Sequence, residues 1–290
     1  LVVSQPSRPV GRGRKLQPPP VAQEAERMGI PVTQPRRVRD PAFLETISRL
    51  EPDLAVVVAF GQIFPKNLLE LPRYGCINVH ASLLPAYRGA APIQAAIAAG
   101  DRETGVTTMK MDVGMDTGPM LLKRSLRIGE GETAVELSER LATLGGQALI
   151  ATLDALEKGT LEPEPQGTEG VSYAPLIRKE DGRVDWSLPA LRLYNLLRAY
   201  TPWPGLTARL RGEPVKLLEA EPWSPSPVTG DESTKRAPGE ILGLDEDHLA
   251  IRCGEDSTLG VTRLQRAGRK PLSAQDFFNG ERLVAGERFE

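Results

Sequence analysis

The sequence predicts an α/β domain on a largely parallel sheet, followed by a small all-β domain. Three observations carry this: continuous apolar strand runs, their alternation with helical patterns up to residue 158, and a cluster of short β-like runs beyond residue 205. The clearest run is Leu54-Ala55-Val56-Val57-Val58-Ala59-Phe60, bounded by Pro52 and Gly61. Its length and β-branched content predict a strand buried on both faces, as in a sheet covered by helices. Residues 75–81 repeat that pattern.

The other elements follow in order. Residues 1–3 read as the end of a strand, and 5–20 as a loop, because Arg, Gly and Pro leave no apolar period. Residues 20–28 read as a helix closed by Gly29, 30–33 as a short strand, and 41–50 as an amphipathic helix. A small-residue helix spans 92–99, and strands follow at 104–111 and 120–126. The helix at 133–158 opens on a capping box, Thr133 and Glu136, with Leu137, Leu141, Leu144 and Ile150 at helical spacing.

Pro163, Pro165 and Pro175 then mark a linker, and a helix carrying Leu191, Leu193, Leu196 and Leu197 precedes Pro202-Trp203-Pro204. Short β-like runs lie at 206–211, 215–220, 240–244, 248–253 and 259–264. Five such runs predict a small closed unit like the oligonucleotide-binding (OB) barrel. Residues 222–238 are polar and rich in Pro and Ser, which reads as a mobile loop. The expected division is residues 1–165 for the α/β domain, 166–204 for linker and connecting helix, and 205–290 for the OB-like domain.

Composition narrows the function. The 290 residues are 40% hydrophobic and 26% charged, which excludes a fibrous or wholly disordered chain. No apolar run approaches the roughly 20 residues of a membrane span. Cys76 and Cys253 are too few for a disulfide framework or a four-thiolate zinc site, and they suit a reducing, cytoplasmic compartment. The net charge is −2, yet residues 1–40 concentrate Arg8, Arg12, Arg14, Lys15, Arg27, Arg36, Arg37 and Arg39. Such a segment points to a local anionic partner; its bland alternative is a solvated stretch.

The chemistry gathers around one of two histidines. Asn78 and His80 stand two apart on a predicted strand, so they share a face at a strand end. Next come Ser82-Leu83-Leu84-Pro85, with Ser82 and then Arg88 offering donors, and the acidic loop Met111-Asp112-Val113-Gly114-Met115-Asp116-Thr117-Gly118. Either Asp112 or Asp116 is placed to orient His80, and spacing does not choose between them; each also suits an Asx turn. His248, among Asp245, Glu246 and Asp247, reads as a surface residue. Asn, His and Asp without a Ser or Cys nucleophile suit direct acyl transfer between two bound substrates. Asn donates to an oxyanion, His gives or takes a proton, and Asp holds the imidazolium.

At these residues the chain resembles the formyltransferases that use 10-formyltetrahydrofolate. The stretches 75–85, Tyr87-Arg88-Gly89-Ala90-Ala91-Pro92-Ile93 and 111–118 carry the resemblance, which runs along nearly the whole chain. Arg88-Gly89-Ala90-Ala91-Pro92 and the barrel-like tail favour the methionyl-tRNA branch. That resemblance implies a Rossmann-like formyltransferase domain, here without the family's first βα unit of about 30 residues. It assigns Asn78, His80 and Asp116 as the catalytic trio, and it decides against Asp112. It places the folate pocket on Phe60, Gly61, Gln62, Ile63 and Phe64, on Ser82, Leu83, Leu84 and Pro85, and on Asp112, Val113 and Gly114. Arg8, Arg12, Arg14 and Lys15 fall on the segment that meets the tRNA acceptor end. Ala81 and Pro119 depart from the family's common Gly and acid.

The implied reaction transfers a formyl group from 10-formyltetrahydrofolate to the methionine amine of initiator methionyl-tRNA. It needs no metal and is expected of a cytoplasmic monomer. The rival readings are a formyltransferase acting on a sugar nucleotide or small amine, and a tRNA-binding module without activity.

Overall fold

A computed structural model describes residues 1–11, 13–224 and 236–290. The polar stretch expected to be a mobile loop lies mostly outside these residues, as does Arg12. In chain order the first elements are β1 (Val2–Val3), β2 (Arg8–Val10), β3 (Lys15–Gln17), α1 (Pro20–Arg27), β4 (Val32–Thr33), α2 (Pro41–Arg49), β5 (Ala55–Val57), α3 (Lys66–Leu69) and β6 (Cys76–His80). Then come β7 (Arg88–Gly89), α4 (Pro92–Ala99), β8 (Glu103–Lys110), β9 (Met120–Arg127), α5 (Ala134–Glu157), β10 (Tyr173–Ala174) and α6 (Ala190–Tyr200). The rest are β11 (Leu206–Leu210), β12 (Glu213–Pro222), β13 (Ile241–Asp245), β14 (His248–Arg252), β15 (Thr258–Arg266), β16 (Leu272–Ser273) and α7 (Ala274–Glu281).

These elements group into two interleaved units. One holds Leu1–Arg88, Val106–Arg124 and Leu144–Ser172; the other holds Gly89–Gly105, Ser125–Thr143 and Tyr173–Glu290.

In the first unit β1 pairs with β4 and β5 with β6, both in parallel. The sheet containing β6 has the order β5-β6-β8-β9, and β6 runs antiparallel to β8, with Ile77 opposite Lys110 and His80 opposite Thr107. The sheet is therefore mixed rather than largely parallel. A strand buried on both faces is an apolar run in either direction, so its pattern carries no direction signal.

Two further expectations are corrected. The run at 54–60 yields only three strand residues, with Val56 and Val58 exposed. These valines line an apolar cavity of about 1010 Å³, together with Val2, Val3, Phe43 and Phe64. The basic segment is not a loop but a hairpin, with Arg8 opposite Gln17 and Val10 opposite Lys15. The residues of β3 are exposed, so no buried face imprints a period-two pattern there.

The expected capping box forms. Glu136 Oε2 accepts from Thr133 N at 2.8 Å, and Glu136 N donates to Thr133 Oγ1 at 3.5 Å. Bonds from Thr133 hold the Glu136 carboxyl below the usual range, the backbone bond most of all.

In the second unit the five expected strands form an antiparallel sheet ordered β11-β12-β15-β14-β13, with β16 added on β15. Register shifts between Leu217 and Ala220 bend β12 against β15. No ladder closes this sheet among the described residues. The C-terminal residues instead bridge its two ends, Phe289 to Leu210 and Arg288 to Glu240. Phe277, Phe289, Leu210, Leu249 and Val261 are fully buried in its core.

His248, expected at the surface, is 5% exposed. It stacks on Trp223 at 3.6 Å, and its Nε2 lies 2.9 Å from Glu221 Oε1. Its Nδ1 lies 2.7 Å from Asp247 Oδ1. The acidic run around it signals surface, but the stacked Trp223 ring covers the imidazole.

α7 is fixed to the sheet by Arg266, which donates to Glu281 through Nε at 3.0 Å and Nη2 at 2.7 Å. That hydrogen bond holds the Glu281 carboxyl below its ordinary 4.5 and raises the Arg266 guanidinium. A carboxyl lowered by folding stabilises the fold above its unfolded pKa, and the contribution is lost as pH falls through the folded value. Denaturant unfolding of wild type and Glu281→Gln should show a stability gap that is largest near neutral pH and narrows as pH falls below the ordinary 4.5. A gap unchanged across that range would contradict the ion pair's role.

Candidate active site

Asn78 and His80 project from one face of β6, as strand alternation requires. The 111–118 loop leaves β8 past the start of β6, where Met111 N donates to Cys76 O at 2.8 Å. It then doubles back and sets Asp116 beside both side chains. Asn78 Nδ2 lies 3.5 Å from Asp116 Oδ1, and His80 Nδ1 lies 3.7 Å from Asp116 Oδ2. One carboxylate thus faces both partners with different oxygens. His80 is 5% exposed, and the Asp116 side chain retains 19% of its surface.

His80 is oriented by the other ring nitrogen. Its Nε2 lies 2.9 Å from the Tyr87 carbonyl oxygen, which only accepts, so Nε2 carries a proton and donates. Nδ1 is left as the nitrogen that faces Asp116 and gains or loses the second proton.

The loop after β6 is held by its own polar groups. Ser82 is fully buried, and its Oγ donates to Ala86 O at 2.6 Å. Thr107 of β8 donates to Ser82 O at 2.7 Å and accepts from Leu84 N at 3.0 Å. Leu84 packs on Met109 and Met120, and the Leu84–Pro85 peptide is cis. Ser82 and Leu84 are thus buried in the base of this loop, while Leu83 and Pro85 are half-buried beside them.

The other sequence-predicted residues divide by location. Asp112 accepts from Gly114 N at 3.0 Å and from Thr117 Oγ1 at 2.8 Å, an Asx-type turn, and it leaves Asp116 to meet Asn78 and His80. Val113 is 73% exposed at the tip of that loop. Gly118 must be glycine: a Cβ there would collide with the Lys110 carbonyl. Phe60 and Phe64 pack edge to face at 5.7 Å, Ile63 is 91% exposed, and Gly61 has φ +76°. Gln62 accepts from Val38 N at 3.0 Å, and Gln5 Nε2 donates to Phe60 O at 2.7 Å. This 60–64 loop leaves β5 at the same end at which His80 leaves β6, since those strands are parallel. Arg8, Arg14 and Lys15 are exposed on the β2–β3 hairpin, with Arg14 in its turn at φ +47°.

Sequence reasoning missed the groups that act through backbone atoms. These are the Tyr87 carbonyl, Thr107, Ser172, whose Oγ accepts from Tyr87 N at 2.9 Å, and Gln166, bonded to the carbonyls of Asp116 and Gly118. Nothing in residue type or spacing marks a backbone carbonyl as a ligand. Among the described residues no helix is long and apolar enough to cross a membrane.

Comparison of the whole chain with known proteins points to one family. Residues 1–153 match the formyl transferase family model, and residues 176–282 match the formyl transferase C-terminal domain model. A methionyl-tRNA formyltransferase of Geobacter metallireducens is 50% identical over 287 residues, covering 99% of this chain and 89% of the relative. One from Citrifermentans bemidjiense is 50% identical over 285 residues, covering 98% and 86%. Among solved structures, HypX from Aquifex aeolicus in complex with tetrahydrofolic acid aligns with a TM-score of 0.60 at 20% identity. That alignment covers 91% of this chain and 45% of HypX, a likeness of fold.

Proposed function

The chain belongs to the methionyl-tRNA formyltransferase family, and from that premise we propose that it moves the formyl group of 10-formyltetrahydrofolate onto the α-amine of methionine on initiator tRNA. The observation that carries the reading at residue level is the convergence of Asn78, His80 and Asp116, without a Ser or Cys nucleophile among them. The methionine amine attacks the formyl carbon, and the carbonyl electron pair moves onto oxygen. Asn78 Nδ2–H and the protonated Nδ1 of His80 stabilise that oxyanion. Asp116 lies beside that ring as the countercharge, while the Tyr87 carbonyl holds its orientation. The intermediate collapses as the electron pair returns from oxygen and the C–N10 bond breaks. The attacking amine loses a proton and N10 gains one, releasing tetrahydrofolate and formyl-methionyl-tRNA.

The pocket for the folate is assigned to Phe60, Gly61, Gln62, Ile63 and Phe64, to Ser82, Leu83, Leu84 and Pro85, and to Asp112, Val113 and Gly114. Support comes from the parallel exit of the loops after β5 and β6 and from the exposed apolar tips Ile63 and Val113. The hairpin meets the tRNA acceptor end through Arg8, Arg14 and Lys15. The C-terminal sheet, bridged at both ends by Arg288 and Phe289, serves as an OB-like tRNA-binding domain over 205–290. Residues 1–165 form the catalytic domain and 166–204 the connection. A monomer working in the cytoplasm completes this reading, and the two scarce cysteines, Cys76 and Cys253, both buried and free, suit a reducing compartment.

Formyl transfer to methionyl initiator tRNA should fall about 10²–10³-fold in kcat for His80→Ala and for Asn78→Ala, the cost of one oxyanion donor. Near-normal kcat in either variant would remove that residue from the mechanism. Charge reversal at Arg8 and Lys15 should raise KM for the tRNA while leaving kcat at saturating tRNA unchanged. It should also flatten the salt dependence by about one unit of slope for each phosphate that is no longer neutralised. An unchanged salt slope would place the tRNA elsewhere.

A further inference from the structure

The short segment after α5, which the sequence presents as a linker, is bonded to both halves of the site. Gln166 is used at both ends of its amide. Its Oε1 accepts from Arg88 Nε at 3.0 Å and Nη2 at 2.7 Å, and its Nε2 donates to the carbonyls of Asp116 at 2.7 Å and Gly118 at 2.8 Å. Arg88 is 8% exposed, and a guanidinium only donates, so its presence fixes which way the amide points. A carboxylate could face Arg88 but could not donate to two carbonyls, and a lysine could do the reverse; an amide does both.

The carbonyl that Gln166 grips belongs to a residue in an unfavourable conformation. Asp116 has φ +53°, in the left-handed region that few non-glycine residues occupy, aspartate among the readier of them, so contacts on its carbonyl help to decide whether it stays there. That conformation turns its carboxylate toward Asn78 and His80. Thr117, next in the chain, is anchored to Asp112 on the far side. Ser172, six residues after Gln166, holds the other half: its Oγ accepts from Tyr87 N, and its carbonyl accepts from Arg88 N at 2.9 Å. Tyr87, at φ +60°, supplies the carbonyl that orients His80.

We infer that Gln166, oriented by Arg88, is a positioning residue that holds Asp116 in the left-handed conformation aimed at Asn78 and His80. Its consequence for rate rests on the proposed formyl transfer; the clamp itself does not. Gln166→Leu removes both sets of bonds, whereas Gln166→Glu keeps the pairing with Arg88 and turns a carboxylate oxygen toward the two carbonyls.

Both variants should lower kcat about 10- to 100-fold, the scale of a misplacement near 1 Å, with KM for folate and tRNA within about threefold of wild type. In an Asp116→Ala background, Gln166→Glu should cost little more, because a residue acting through Asp116 has nothing left to position. Amide hydrogen exchange of Gln166→Glu should speed at residues 112–118 while residues 76–80 stay protected, whether or not the enzyme turns over. Where Asp116→Ala is impaired, unchanged kcat in the Gln166 variants or a loss additive with it would overturn the inference, as would unaltered exchange at 112–118 in any case. If Asp116→Ala alone keeps full kcat, the catalytic reading of Asp116 fails, and the exchange result still decides the clamp.

Discussion

The hydrogen bond from His80 Nε2 to the Tyr87 carbonyl at 2.9 Å is the contact on which the rest of the site depends. It commits one ring nitrogen to the backbone and leaves the other facing a carboxylate. An imidazole free to rotate would present either nitrogen, and Asp116 would have no fixed partner. Because the acceptor is a backbone atom seven residues along the chain, the orientation of His80 is set by the loop that follows it. That loop is tied at Ser82, at Thr107 and at Ser172. The chemistry of one side chain is thus built from the hydrogen bonds of many backbone groups, which in a buried site must be satisfied in any case.

Two residues carry a backbone cost for this arrangement. Tyr87 and Asp116 both sit at positive φ without being glycine, a strain on the order of 1–3 kcal/mol each. Such conformations persist where neighbours over-determine them, and here those neighbours are specific: Ser172 for Tyr87, Gln166 for Asp116. Gly118 adds a steric condition, since the returning loop passes too close to the Lys110 carbonyl for any side chain. The segment 166–172 contributes through its position, by hydrogen bonds to backbone atoms, which explains why it carries function without looking like an element.

How much of this is legible in the residues depends on whether a side chain or a backbone atom does the work. Asn78 and His80 are legible because alternation in a strand places i and i+2 together. The choice between Asp112 and Asp116 is not, since both lie in one Gly-punctuated loop, and it needs the family resemblance; in the structure Asp112 closes its own turn. The capping box at Thr133 and the strands of the C-terminal sheet leave strong local signals. The antiparallel β6–β8 pairing, the exposed hairpin, the buried His248 and the clamp at Gln166 do not. Strand direction, a two-sided exposed ribbon, a ring covered by Trp223 and a bond to a carbonyl are each decided by tertiary contacts.

The tautomer of His80 is read directly by proton–nitrogen correlation NMR of the two histidine rings. At a pH where His80 is neutral, the spectrum should show the proton on Nε2, with Nδ1 carrying the lone pair that faces Asp116. A neutral His80 protonated on Nδ1 instead would contradict the orientation described, and with it the assignment of Nδ1 as the atom that meets the substrate.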